Sequence, residues 1–216
     1  MTDFSQLVLP TDRLLLRPLV PTDAPAAYAM HADPLTLRYW STPPWADPAL
    51  ADELIARDLA AMAAGDYIRL GLQRRDDGRL IGLCTLFAFY LPSRRCEIGY
   101  ILARDCWGQG CMHEALLALL DCGFGMLDLN RVEADIDPRN TGSQRTLDRL
   151  GFQREGLLRE RWIVSGEVSD TALHGLLRRD WLARGLAGGG SDGVAGGSTG
   201  AMSSGAAPPA ARPQRG

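Results

Sequence analysis

One stretch decides the fold of this chain: Trp107-Gly108-Gln109-Gly110-Cys111-Met112. It follows an extended apolar run and opens a long amphipathic segment. Its glycines let the backbone turn tightly and approach a ligand closely. The first N–H groups of a helix lack partners within that helix, and the helix dipole is positive at this end. The stretch therefore predicts an anion-binding loop, although a tight turn needs glycine even where no anion binds.

A second pattern follows the loop and supports the ligand-binding interpretation. Residues 131–136 alternate like a strand and lead into Asp137-Pro138-Arg139-Asn140, and the segment 143–150 has helical spacing and ends at Gly151. Together with the glycine loop, these residues resemble the Gcn5-related N-acetyltransferase (GNAT) superfamily, in particular its RimJ/RimL branch. The resemblance extends, in the same order, over residues 11–18, 97–100, 107–115, 140–143, 155–160 and 166–170.

Length and composition narrow the class of protein. A chain of 216 residues is long enough for one sizeable domain. The net charge of −3 gives no reason to expect nucleic acid or a membrane surface as a partner. No apolar run reaches the ~18–20 residues that cross a bilayer. The five cysteines are odd in number and irregularly spaced, and no signal segment opens the chain, so a cytoplasmic protein is expected.

Cysteine and histidine side chains in and beside the loop suggest a zinc site at first sight. Cys106, Cys111 and His113 have a spacing that resembles part of a ligand set. A fourth ligand at a familiar spacing is missing, and the three residues coincide with the glycine loop. We therefore expect no metal.

The predicted elements give an α/β (α+β) fold with a mixed, mostly antiparallel sheet of about seven strands flanked by helices. Asp76-Asp77-Gly78 predicts a hairpin, and Thr22 or Asp23 is a candidate helix cap. The predicted strands are 14–19, 67–74, 80–89, 95–102, 131–136, 158–164 and 168–177. The predicted helices are 21–31, 48–64, 109 or 111 to 127, and 143–150.

The C-terminal segment has a different composition from the rest. Residues 187–216 are mostly Gly, Ala, Ser and Pro, and such a segment buries too little apolar surface to offset its ordering entropy. We expect a folded domain over residues 1–186 and a disordered tail over residues 187–216.

The resemblance implies how a coenzyme would bind. It implies a bulge at Gly99 in the fourth strand, which splays that strand from the fifth and admits the pantetheine arm of acetyl-CoA. Trp107 stands where the superfamily has Arg or Gln, Met112 where it has Gly or Ala, and His113 where it has Thr. The implied coenzyme contacts are Ile101, Leu102, Trp107, Gly108, Gln109, Gly110, Cys111, Met112, His113, Asn140 and Ser143.

The resemblance also implies an N-acetyltransferase, in which a neutral amine attacks the thioester. A base must accept the amine proton, and Glu160 in the sixth strand and Glu97 beside the splay are the two candidates. Each carboxylate is also a plausible solvated or salt-bridged strand residue. Ser143 resembles a family position for a general acid or a coenzyme contact, and Asn140 resembles a pantetheine contact. Helix capping is the alternative role of both.

The acceptor groove is implied between the first two helices. Tyr39, Trp40 and Trp45 could cover an amine there, or the segment could simply pack over the sheet. The acceptor remains open among a protein α-amine, an amino-acid-like metabolite, a polyamine and an amino-sugar antibiotic. The chain is expected to be a monomer or a homodimer. Alternative functions are a catalytically silent acyl-CoA-binding module and an enzyme that uses another short acyl-CoA. A dinucleotide-binding oxidoreductase is disfavoured, because His113 replaces the third glycine of its fingerprint.

Overall fold

The computed structural model describes residues 2–187 and the pair 203–204. The predicted disordered tail therefore lies outside the described residues, apart from Ala187 and Ser203–Ser204. In the described part of the chain, no helix is both long and apolar enough to cross a membrane.

A mixed sheet organises the domain, as predicted. Eight strands lie in the order β1-β2-β3-β4-β5-β6-β8-β7, and every neighbouring pair is antiparallel except β5 and β6. The strands are β1 (Leu9–Pro10), β2 (Leu14–Arg17), β3 (Ile68–Arg74), β4 (Leu80–Tyr90), β5 (Arg95–Leu102), β6 (Arg131–Ile136), β7 (Gln153–Val164) and β8 (Glu167–Leu177). A further short strand, β9 (Ser203–Ser204), pairs with β5.

Helices cover both faces of the sheet. The five are α1 (Ala24–Ala32), α2 (Ala49–Ala64), α3 (Cys111–Asp121), α4 (Thr141–Leu150) and α5 (Arg178–Ala187). Apolar residues of α1 and α2 form one core with Leu83 of β4 and Ile101 of β5. Residues of α3 and α4 form the larger core with the alternate positions of the same strands. Successive side chains of β5 therefore face different helices, as expected of a strand covered on both sides.

The strands β5 and β6 separate part-way along their length. They pair in parallel only from Arg95–Arg131 to Glu97–Glu133, whereas β5 continues to Leu102 along β4. The predicted splay is confirmed. The strands predicted as the fourth and fifth are numbered β5 and β6 here, because the two-residue strand β1 was not predicted. The edge of β5 beyond Glu97 is where β9 pairs, at Tyr100 and Ile101.

The predicted bulge at Gly99 is wrong. The ladder between β4 and β5 runs without a shift from Gly82–Leu102 to Phe87–Glu97, through Thr85–Gly99. The irregularity lies in β4 between Phe87 and Tyr90, where Ala88 has a φ of 51°. The irregular strand is therefore β4, which pairs with β5, and not β5 itself.

Other differences from the predicted elements concern their ends. The helix predicted to reach residue 127 ends as α3 at Asp121 and continues as one π turn, Cys122–Met126. Strand β7 begins at Gln153, five positions before the predicted start at 158. Helix α5 was not predicted. Asp23 occupies the cap position of α1, but its carboxylate accepts hydrogen bonds from Arg17 instead of capping the helix.

Candidate active site

The glycine loop joins β5 to α3 through a short 3₁₀ turn. Gly108 and Gly110 have φ values of 72° and 77°, so both need the left-handed conformation that glycine adopts without strain. Gly110 is the residue before α3, and no side chain caps this helix end. The side chains of Cys111 and Met112 are buried in the core. These two residues can therefore offer an anion only their backbone N–H groups.

Side chains brace the loop from within. The indole Nε1 of Trp107 donates to the carbonyl of Leu102 at 2.9 Å. The amide Nε2 of Gln109 donates to the carbonyl of Asp105 at 2.7 Å. The predicted contacts Trp107 and Gln109 thus hold the loop in shape, and this leaves the backbone of the first helical turn as its anion-facing surface.

The sequence analysis missed a basic residue beside the loop. Nη1 of Arg13 donates to the carbonyl of Gln109 at 2.9 Å, and its Nε lies 2.6 Å from a carboxylate oxygen of Glu114 on α3. Hydrogen bonding and attraction to Glu114 raise the pKa of Arg13. Half of the guanidinium side chain is exposed, at 53%. Arg13 therefore supplies the positive charge that Trp107 does not.

His113 lies on the first turn of α3 and is half buried. Its Nδ1 is buried and has no hydrogen-bond partner among the described residues. Burial lowers the pKa of the imidazole, and the charges of Arg149 and Arg184 lower it further. The ring is neutral near pH 7, with a nitrogen available for a ligand.

The N-terminus of α4 faces the splay. Oδ1 of Asn140 accepts the backbone N–H of Ser143 at 3.1 Å, which is the predicted capping role. Its Nδ2 is buried and has no partner among the described residues. The Ser143 and Tyr100 hydroxyls lie 2.5 Å apart, so α4 and β5 are joined across the opening. An orphaned buried donor costs free energy until a ligand or water accepts from it, and the site therefore fits a ligand that carries amide carbonyls.

Glu97 lies with other carboxylates in a cavity of about 170 Å³ beside the point where β5 leaves β6. Burial raises the pKa of Glu97, and the negative charges of Asp135 and Glu133 raise it further, against a smaller opposing effect of Arg95 and Arg161. Burial also raises the pKa of Asp135. These pKa shifts bring a carboxylate closer to the range in which it serves as a base.

Glu160, the other predicted base, lies elsewhere. Its side chain is exposed, its φ is 51°, and its backbone N–H donates to Oδ1 of Asp170 at 2.8 Å. The register between β7 and β8 shifts at this point. The cavity around Glu97 is lined from β7 by Glu155, Leu158 and Arg161, and Glu160 is not part of its wall.

A second cavity, of about 200 Å³, opens on the helical face of α1 and α2; we call it the α2-side cavity. Gly99, Tyr100 and Ile101 form its wall on β5, so it borders the splay. The predicted substrate contacts Trp40 and Trp45 both line it.

Tyr39, the third predicted substrate contact, is not part of that lining. It lies beside the guanidinium groups of Arg38 and Arg139, whose Cζ atoms are 5.3 and 5.7 Å from its ring.

His31 organises the aromatic wall of the α2-side cavity. Its ring stacks on Trp45 with centroids 4.1 Å apart and meets the edge of Trp40 at 5.7 Å. Nδ1 lies 2.8 Å from the carbonyl of Ala27 and so carries the proton. Burial lowers the pKa of His31 to about 4, and this histidine is therefore neutral at physiological pH.

A buried ion pair forms the floor of the same cavity. Nη1 of Arg69 donates to both oxygens of Asp58, at 2.9 and 3.1 Å, and its Nε donates to Thr85 at 3.0 Å. Tyr67 donates a further hydrogen bond to Asp58 at 2.5 Å. The sequence analysis singled out none of these residues, because their partners lie on different strands and helices. The pair is electrically balanced and fully hydrogen-bonded at the carboxylate, as a buried charge requires.

Comparison with known families agrees with this arrangement. Residues 13–153 match the family model described as an acetyltransferase (GNAT) domain. An uncharacterized N-acetyltransferase, p20, of Bacillus licheniformis is 35% identical over 171 residues, which are 79% of this chain and 96% of that protein. The ribosomal protein uS5-alanine N-acetyltransferase of Escherichia coli is 30% identical over 118 residues, or 54% of this chain and 61% of that protein.

Solved structures show the same fold. The spermidine N-acetyltransferase of Vibrio cholerae, in complex with CoA and spermine, superimposes with a TM-score of 0.71. The match covers 80% of this chain and 99% of that chain, at 22% sequence identity. At this level of identity the likeness concerns the fold alone.

Proposed function

Because the chain belongs to the Gcn5-related N-acetyltransferase superfamily and resembles its RimJ/RimL branch, we propose that it transfers the acetyl group of acetyl-CoA directly to a primary amine. The observation that carries this proposal is the separation of β5 from β6 next to the uncapped N-terminus of α3. It combines a strand edge that β6 does not cover with a helix end suited to an anion.

The coenzyme would lie along these two features. Its diphosphate would accept hydrogen bonds from the backbone N–H groups after Gly108. The exposed guanidinium of Arg13, the residue before β2, would add positive charge beside them. Its pantetheine arm would take the edge of β5 at Ile101 and Leu102, in place of β9, which pairs with β5 at Tyr100 and Ile101. Nδ2 of Asn140 would donate to an amide carbonyl of that arm. CoA supplies the activated acetyl thioester.

The chemistry is a single displacement at the acetyl carbonyl carbon. The amine nitrogen forms a bond to that carbon, the carbon–sulfur bond breaks, and the electron pair leaves with the sulfur. The amine gives up one proton to a base, and the thiolate takes a proton to become free CoA. A backbone N–H near Gly99 to Leu102 would stabilise the oxyanion that develops on the carbonyl oxygen.

Glu97 is the better candidate for the base. It lies in a cavity at the splay, and burial and its neighbour Asp135 raise the pKa of its carboxyl group. Glu160 is exposed on an irregular part of β7. The hydroxyl pair of Ser143 and Tyr100 is the candidate proton donor to the thiolate, because the 2.5 Å contact provides a relay into the opening.

The acceptor is proposed to be a protein N-terminal α-amine or a small primary amine. The name of one similar protein supports the first choice, because it acts on an alanine of a ribosomal protein. The acceptor would reach the thioester from the α2-side cavity, which borders Gly99 to Ile101.

The proposal is tested by following free CoA thiol in the presence of acetyl-CoA and a panel of amines: N-terminal peptides, free amino acids, polyamines and amino sugars. We expect amine-dependent thiol release with at least one class. If acetyl-CoA binds but no amine gives turnover, the chain is an acyl-CoA-binding module. Turnover with propionyl-CoA and none with acetyl-CoA would instead identify another short acyl donor.

A further inference from the structure

The α2-side cavity contains an unused hydrogen-bond donor. Nε1 of Trp40 is buried and has no hydrogen-bond partner among the described residues. An indole nitrogen can only donate, and a buried donor left without an acceptor is costly. The indole lines the cavity, and its ring is held at its edge by His31. A ligand oxygen that reaches this nitrogen would satisfy the group.

The charged side chains that line the cavity are Arg69 on its inner wall and Glu53 and Arg57 on α2. Arg69 has five N–H donors, of which Asp58 and Thr85 use those on Nη1 and Nε. Its positive charge is balanced by Asp58 beneath it. At the mouth, Glu53 and Arg57 have opposite charges one turn apart on α2. The cavity therefore favours an uncharged oxygen over a second ammonium group, which would lose its hydration there.

Trp40 also lies close to the proposed reaction centre. Besides the α2-side cavity it lines a smaller one of about 20 Å³ whose wall includes Asp135. Asp135 is the neighbour that raises the pKa of Glu97. An acceptor whose amine lies near Glu97 and Asp135 could therefore place an oxygen of the same molecule at Trp40.

We propose that Trp40 is a specificity-determining residue whose indole N–H binds an amide carbonyl next to the reacting amine, so that the enzyme prefers α-amino acyl amides to polyamines. This inference rests on the proposed function, since it assigns the acceptor class for the same site. Polyamines carry ammonium groups and no oxygen, and they would leave the Trp40 donor unpaired.

The first test compares two amines that differ in one group. Alanine amide carries the carbonyl, whereas sec-butylamine has a similar branched amine and no oxygen. Trp40→Phe keeps a ring against His31 and removes the N–H. We expect it to lower kcat/KM for alanine amide about tenfold and that for sec-butylamine less than about twofold. Equal losses for the two amines would overturn the inference.

Trp45→Phe is the matched control, because it removes an indole from the same wall. Its Nε1 is not among the buried unpartnered atoms. We expect this variant to change kcat/KM for the two amines by the same factor. A selective loss for alanine amide in Trp45→Phe, without one in Trp40→Phe, would also contradict the assignment.

A second measurement does not depend on turnover. The chain has five tryptophans, and the indole N–H resonance that disappears in Trp40→Phe identifies Trp40. With CoA bound, alanine amide is expected to move this resonance downfield, whereas sec-butylamine leaves it in place. If no amine of the whole panel is acetylated, the proposed function fails, and this resonance still decides the inference. If alanine amide does not shift the Trp40 indole resonance, the inference is overturned.

Discussion

At the scale of single residues, the proposal that Glu97 is the base depends on where the fold places its side chain. The strands β5 and β6 end their pairing at Glu97 and Glu133, and the partly buried side chain of Glu97 lies in a cavity with other carboxylates and two arginines. Its negative form is therefore less favourable than in water, and a proton from an attacking amine is accepted more readily. This placement is the reason for proposing a chemical role for a polar strand residue.

The first prediction compares the two candidate bases. Glu97→Gln is expected to lower kcat/KM about 10²–10⁴-fold at neutral pH, because general-base catalysis contributes about that much. Glu160→Gln is the matched control and is expected to cost less than about tenfold. The Kd for acetyl-CoA, measured by calorimetry, is expected to stay near the wild-type value in both variants.

The pH dependence of kcat/KM provides a check on this assignment. The wild-type value is expected to fall on the acid side through the raised pKa of Glu97, and Glu97→Gln is expected to lose this limb. Asp135→Asn removes a charge that raises this pKa and is expected to move the limb to lower pH. A large loss in Glu160→Gln alone would transfer the role of base to β7.

The second prediction concerns stability. The folded-state pKa of Glu97 is raised, so its ionised form opposes folding above the ordinary carboxyl pKa, and this cost disappears when the pH falls below that value. Glu97→Gln is expected to raise the Tm at pH 7, and about 1 kcal/mol corresponds to roughly 2–4 °C for a domain of this size. The difference in Tm between Glu97→Gln and the wild type is expected to disappear towards pH 4. Thermal melts across this range would contradict the account if Glu97→Gln were the less stable protein at pH 7.

Sequence alone proposed Glu97, Asn140 and the loop glycines as candidates, because the motifs that carry the family resemblance are local. It missed Asp135, since an alternating Arg-Val-Glu-Ala-Asp-Ile strand predicts a solvated polar face, and only the divergence of β5 from β6 encloses that face. It also missed Arg13, which meets Glu114 across 101 positions of the chain. Contacts of that kind depend on tertiary packing.

At the scale of elements, the loop before α3 carries the coenzyme assignment. Its conformation requires two left-handed glycines, and its shape is held by Trp107, Gln109 and Arg13. These bonds pre-form the N–H groups at the helix end, so that a diphosphate would bind without first ordering the loop.

The third prediction is that Gly110→Asp weakens coenzyme binding at least about tenfold, because a negative charge would replace the open approach to the helix N-terminus. Saturating CoA is expected to raise the Tm of the wild type and to raise that of Gly110→Asp much less. Backbone strain alone must be separated from this effect, since Gly110 has a φ of 77°.

Gly166→Asp provides that control. Gly166 has a φ of 85° in the turn between β7 and β8, and a Cβ added there would meet nothing within 4 Å. It is expected to lose about 1–2 kcal/mol of stability through strain and to bind CoA normally. If CoA stabilises Gly110→Asp as strongly as the wild type, the loop does not bind the diphosphate.

Element types and order followed from sequence, whereas bends and ends did not. Hydrophobic periodicity gave α2 and the strands from β3 to β6 almost to their ends, and it gave the start of α3 but not its end. The bulge at Ala88 and the π turn after α3 have no distinctive residue that marks them, because each follows from how a strand or helix fits its neighbours. Gly99, which has the residue type of a bulge, sits in regular pairing.

At the scale of the whole molecule, α5 closes the domain. Trp181 packs on Phe124 with ring centroids 5.9 Å apart, and its Nε1 donates to Asp121 at 2.9 Å. It therefore ties the last helix to α3 and to the π turn. Composition predicted the limit of the domain near this residue, but not the helix.

The fourth prediction concerns two truncations. Ending the chain after Leu186 is expected to leave the Tm within about 2 °C and acetyl-CoA affinity no weaker, because the removed segment has almost no large apolar residues. Ending it after Leu177 also removes Trp181 and is expected to cost about 3–5 kcal/mol. Weaker coenzyme binding after the first truncation would show that residues 187–216 contribute to the site.

The central claim is that this enzyme transfers the acetyl group of acetyl-CoA to a primary amine. The most direct test is to incubate the wild-type protein with acetyl-CoA and alanine amide, to identify the product by mass spectrometry, and to count free thiol in the same sample. The account predicts N-acetylalanine amide and free CoA in equal amounts. Thiol release without the acetylated amide, or no reaction with any amine despite bound acetyl-CoA, would contradict it.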